Sequence, residues 1–89
     1  MKRIFCELHL FDLNQKVYII DSSTGDKELI ATTTMEGLPE AISAISGEKH
    51  IPKVFLAGNS LLGATIAEDV VAYSKLHYNW NNIEVEVLK

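Results

Sequence analysis

Arg3-Ile4-Phe5-Cys6-Glu7-Leu8-His9-Leu10-Phe11 alternates in side-chain character, with Ile4, Cys6, Leu8 and Leu10 on one side and Phe5, Glu7, His9 and Phe11 on the other. A period of two marks a strand with one face turned to a core. Asp12-Leu13-Asn14-Gln15 is turn material, and the β-branched run Val17-Tyr18-Ile19-Ile20 reads as the hairpin partner. Ser22-Ser23-Thr24-Gly25-Asp26 supplies a second turn, and residues 27–33 form a third strand polar enough to be a sheet edge.

Beyond this meander the period changes. Gly37-Leu38-Pro39-Glu40 opens a helix, since proline is tolerated in the first turn and a carboxylate favours the N-terminal end of the dipole. Its apolar stripe is Leu38, Ala41, Ile42 and Ile45, and Gly47 is expected to end it near Ser46. Val54-Phe55-Leu56-Ala57 is apolar on both sides, as in a central parallel strand. Ser60 is placed to cap a second helix running to about Tyr78, with Leu62, Ile66, Val70, Tyr73 and His77 on the expected buried face. Trp80-Asn81-Asn82 breaks the pattern, and Ile83, Val85 and Val87 alternate with Glu84 and Glu86 in a last strand.

The order is therefore β-β-β-α-β-α-β, an α/β protein with a mixed five-stranded sheet in residues 1–89, read as a single domain. Right-handed crossovers in a sheet of order 3-2-1-4-5 put both helices on one face. The apolar side of the first strand then meets the helices, and Phe5, Glu7, His9 and Phe11 lie on the helix-free face. This order resembles the core of the ribonuclease H-like superfamily over nearly the whole chain, with a ferredoxin-like or other small α/β sandwich as the alternative. Ile4-Phe5-Cys6-Glu7 is similar to the first strand of ribonuclease H, with Glu7 where that family has its first metal-binding Asp. Glu36 or Glu40 falls in the place of the helix Glu, and Asn59-Ser60 in the place of the Asp-Ser after the fourth strand, so the third carboxylate is missing.

Composition narrows the function classes. A chain of 89 residues with 47% hydrophobic and 22% charged residues has ordinary globular proportions. Folding at this size buries about 60–65% of the unfolded surface, so a single core must suffice. A lone cysteine, Cys6, forms no internal disulfide, which points to a reducing, cytoplasmic setting. The apolar runs are short, so neither export nor membrane spanning is expected. A net charge of −4 disfavours non-specific nucleic-acid binding.

The candidate chemistry is sparse. A two-metal nuclease needs carboxylates converging on ions about 4 Å apart, and only Glu7 and Glu40, with Asn59 beside them, are candidates for such a catalytic set. Gly58-Asn59-Ser60-Leu61-Leu62-Gly63-Ala64-Thr65 follows a strand and opens a helix in the manner of a phosphate-binding loop, with Ala64 where such loops carry Lys. Gly58, Asn59, Ser60 and Gly63 are therefore candidate ligands for an anion or nucleotide, since free amides at a helix start attract anions generically. Cys6 and His9 face opposite sides of a strand, and no metal site or cofactor is expected. The expected function is a non-catalytic protein-interaction module, self-associating as a homodimer or binding a partner protein through Phe5, Glu7, His9, Phe11 and Leu88. The alternatives are a degenerate divalent-metal-dependent nuclease and a small-ligand domain using the Gly58–Gly63 loop.

Overall fold

The computed structural model describes residues 1–58 and 60–88. The strands are β1 (Lys2–Leu8), β2 (Gln15–Asp21), β3 (Lys27–Thr33), β4 (Lys53–Gly58) and β5 (Glu84–Leu88), with helices α1 (Leu38–Lys49) and α2 (Leu61–His77) between β3, β4 and β5. They form one sheet of order β3-β2-β1-β4-β5, the order for which right-handed crossovers put both helices on one face. β1 to β3 make an antiparallel meander, while β4 runs parallel to both β1 and β5.

Ile4, Cys6 and Leu8 are fully buried together with Val17, Val54 and Leu56 from the neighbouring strands. Leu38 and Ile42 of α1 and Ala67 of α2 join the same core, which fixes both helices to that side of the sheet. Burying each of the larger aliphatic side chains contributes about 1.5–3 kcal/mol, the dominant favourable term in a sheet covered on one face. Trp80, in a short 3-10 turn after α2, closes this layer. It is buried, and its indole Nε1 donates to the Pro39 carbonyl at 3.2 Å, tying the end of α2 to the start of α1.

Three local expectations are corrected. β1 stops at Leu8, short of Phe11, because the Gln15 side chain replaces a strand partner. Its amide accepts from the His9 N–H (2.9 Å) and donates to the carbonyls of His9 (3.0 Å) and Asp12 (3.1 Å), so Gln15 is buried at the start of β2 instead of lying in the turn. α1 runs past Gly47 to Lys49, and the left-handed residue that ends it is His50 (φ 56°), whose N–H bonds to the Ser46 carbonyl. A glycine in a helix interior costs only about 1 kcal/mol relative to alanine, and the end is held by the buried Ser46, whose carbonyl accepts from His50 and Ile51 and whose hydroxyl donates to the Ile51 carbonyl.

The third correction concerns α2, whose buried residues are Gly63, Ala64, Ala67 and Ser74; of the expected stripe Val70 packs against the core and Ile66 is half-buried, while Leu62, Tyr73 and His77 are exposed. Gly58 shows why. A Cβ built there would lie 2.1 Å from the Ala64 nitrogen and 2.3 Å from the Gly63 carbonyl carbon, so the end of β4 and the first turn of α2 are in backbone contact. Only small residues permit that approach. Leu62, Tyr73 and Leu76 are left exposed, and Tyr73 lines a cavity of about 210 Å³ with Met35, Glu36, Pro39, Ile66, Asp69 and Val70.

Candidate functional site

The side chains that point away from the helices are set by the same alternation. In β1 they are Arg3, Phe5 and Glu7, flanked in register by Tyr18 on β2 and Phe55 on β4, both directly opposite Phe5. Phe55 is in turn opposite Glu86 of β5, and Ala57 opposite Leu88. On the other side a bulge shifts the β2–β3 pairing between Val17 and Tyr18, so that Val17 faces Ala31 and Tyr18 faces Leu29, with Ile30 as the extra residue. The bulge keeps Lys27 and Leu29 on this helix-free face.

The result is an aromatic row, Tyr18–Phe5–Phe55, across the three middle strands, with every member half-buried and Leu29 exposed at its end. Cations rest on the rings. The Lys27 ammonium lies 4.2 Å from the Tyr18 centroid and 5.7 Å from that of Phe5, and the Arg3 guanidinium carbon 5.0 Å from that of Phe55. Such contacts are worth about 0.5–1 kcal/mol at exposed sites. Among the described residues neither cation pairs with a carboxylate, and the Arg3 Nε is buried without a hydrogen-bond partner. Apolar surface, aromatic side chains and two cations without a carboxylate partner among the described residues therefore share the helix-free face.

The interface residues expected from the sequence separate into two groups. Phe5, Glu7 and Leu88 stand on the helix-free face by register. His9 and Phe11 lie beyond the end of β1, where alternation no longer assigns a face, and Phe11 is 99% exposed. His9 Nε2 nevertheless meets Glu7 Oε1 at 3.0 Å, keeping that pair at the rim of the sheet. Alternation missed Tyr18, whose membership of the row follows only from the β1–β2 register.

The candidate catalytic residues are not brought together. Glu7 faces away from the helices, whereas Glu40 sits in the first turn of α1 on the opposite side of the sheet. Asn59 lies outside the described residues. No group of three or more His, Cys, Asp or Glu assembles among the described residues. In the Gly58–Gly63 loop, Ser60 caps α2 by accepting from the Gly63 N–H at 3.1 Å with its hydroxyl, while its carbonyl accepts from Ala64 at 2.9 Å. Two of the amides a phosphate would need are therefore taken, and Gly58 is required by the close approach of α2.

Cys6 is buried on the helix side, and its thiol is pushed up to about 12, first by burial and then by the charge of Glu7. That environment opposes nucleophilic chemistry. No helix of the described chain is long and apolar enough to cross a membrane. The chain matches no family model, and no curated protein matches it.

Proposed function

We propose that this chain is a non-catalytic protein-interaction module on a ribonuclease H-like scaffold, and that the helix-free face of its sheet is the contact surface. The β3-β2-β1-β4-β5 order with both helices on one face supports the scaffold reading. The observation that carries the function is the Tyr18–Phe5–Phe55 row, three half-buried aromatic side chains in cross-strand register on a face no element covers. Aromatic side chains flanked by arginine are the groups that dominate binding energy at protein interfaces. The unpaired, buried Cys6 is in keeping with a reducing, cytoplasmic setting.

The test is a substitution on the row that spares the core. Phe55→Asp places a carboxylate opposite Glu86 but beneath the Arg3 guanidinium, which gives the new charge a partner, and the monomer is expected to stay folded. Wild-type protein is expected to sediment above monomer mass or to retain a protein from lysate of its own source, and the variant to lose that association with an unchanged circular dichroism spectrum. Association that survives in a folded Phe55→Asp protein would overturn the assignment of this face.

A further inference from the structure

Resting on that reading, we propose that the occupant of the face is a second copy of this chain, packed sheet on sheet about a two-fold axis that runs along β1, so that β3 of each copy lies over β5 of the other. The distribution of charge across the strands selects this occupant. Lys16 and Lys27 stand on the β2–β3 side of the face, while Glu84 and Glu86 stand on β5 at the opposite edge, all four exposed, and the half-buried Lys53 of β4, opposite Glu84, leaves that side net negative. A two-fold axis along the central strand reverses the strand order and leaves the position along each strand unchanged. It therefore sets the basic side of one copy against the acidic side of the other, twice per dimer.

The register makes the correspondence specific. Lys27 pairs with Ile20, Ile20 with Arg3, Ile4 with Val54 and Lys53 with Glu84, so Lys27 and Glu84 occupy the same level at opposite edges. Across the axis Lys27 meets the partner's Glu84, and Tyr18 meets the partner's Phe55. Arg3, Phe5 and Glu7 of the two copies come closest to the axis; each Arg3 leans over its own Phe55 and each Glu7 is held by its own His9, which keeps the like charges apart. Aligned packing of two sheets, with side chains of both inner faces interdigitating, is the arrangement twisted sheets favour. It is also isologous, the commonest closed symmetry.

Size sets the strength. Five strands about 4.8 Å apart and about six residues long at 3.3 Å per residue cover about 24 by 20 Å. Both copies together then bury about 1,000 Å², the low end of specific interfaces. The dimer is accordingly expected to be weak, with a dissociation constant in the micromolar range, and sensitive to salt.

Sedimentation velocity over about 5–500 μM on wild type, Lys27→Glu, Glu84→Lys and an equimolar mixture of the two variants tests the arrangement. Both substitutions fall on exposed side chains outside the core. Each single variant sets like charges against each other at both edges, and its dimer is expected to weaken by about tenfold. In the mixed dimer both edges become complementary, so the mixture is expected to associate as tightly as wild type. A wild type monomeric at 500 μM would exclude the second copy while leaving a different partner on the same face. Self-association lost in Phe55→Asp but no stronger in the mixture than in either variant would keep the face and overturn the axis.

Discussion

The two faces of this sheet are built from alternate residues of the same strands, yet they have opposite properties. On one, Ile4, Cys6, Leu8, Val54 and Leu56 are completely buried, purely apolar and packed under two helices. On the other, their immediate neighbours Phe5, Glu7, Phe55 and Ala57 are half-buried, mixed in polarity and covered by no element among the described residues. A sheet can therefore keep its fold and its contacts on separate sides, one residue apart. Large changes on the open face should alter association and spare stability, whereas small changes on the covered face should do the reverse.

Cys6 gives this contrast its largest expected effect. With its thiol raised from about 9 to about 12, the reactive thiolate is about a thousandfold scarcer at pH 8 than in the unfolded chain, before any steric protection is counted. A maleimide or disulfide reagent should label native protein at a rate set by unfolding, and the urea-unfolded chain at once. The linkage has a definite sign. Because the folded state holds the thiol proton more tightly, this contribution to stability is complete below pH 9 and declines as pH rises above it. Fast stoichiometric labelling of the native protein near pH 8 would mean that the two faces are assigned the wrong way round.

Leu56 and Phe55 sharpen the same contrast in stability. Leu56→Ala opens a cavity in the core and is expected to cost about 2–5 kcal/mol in urea unfolding. Phe55→Ala removes a larger side chain from a half-exposed position, and about 1 kcal/mol or less is expected at protein concentrations where the chain is monomeric. Equal losses would show that the open face is covered within the chain.

The architecture was largely legible because two signals are local and strong, the alternation of residues 3–8 and the doubly apolar run 54–57. Given the strand order, the crossover rule then puts both helices on one face. What escaped the sequence has a common physical cause, contacts between segments far apart or side chains standing in for backbone. His9, Leu10 and Phe11 continue the alternating pattern, but the Gln15 amide takes the backbone groups of His9 that another strand would have used. The stripe from Leu62 through Tyr73 has the right helical period, yet a helix in backbone contact with β4 must turn its small residues inward. Of the candidate site, Phe5 and Leu88 follow from pattern alone. Tyr18 and the cations over the rings depend on the register, and on a bulge that nothing in residues 27–33 announces.

Two glycines, Gly58 and Gly47, carry the comparison to its smallest effects, because sequence alone makes each a helix boundary and the structure separates them. At Gly58 a Cβ would strike the backbone of Gly63 and Ala64 at about van der Waals overlap, 2.1–2.3 Å, with no flexible side chain to give way. Gly58→Ala must push α2 off β4, and a loss of about 1–3 kcal/mol is expected, in the range of overpacked sites. At Gly47 nothing lies within 4 Å of a built Cβ, the residue is exposed, and it sits inside α1 with no positive φ. Gly47→Ala should therefore stabilise the protein by about 0.5–1 kcal/mol, since alanine loses less backbone freedom on entering a helix. Urea unfolding of both variants beside wild type reads the two signs in one experiment. If Gly47→Ala destabilises, α1 ends at Ser46 as its glycine suggested, and the cap formed by His50 is not the true terminus.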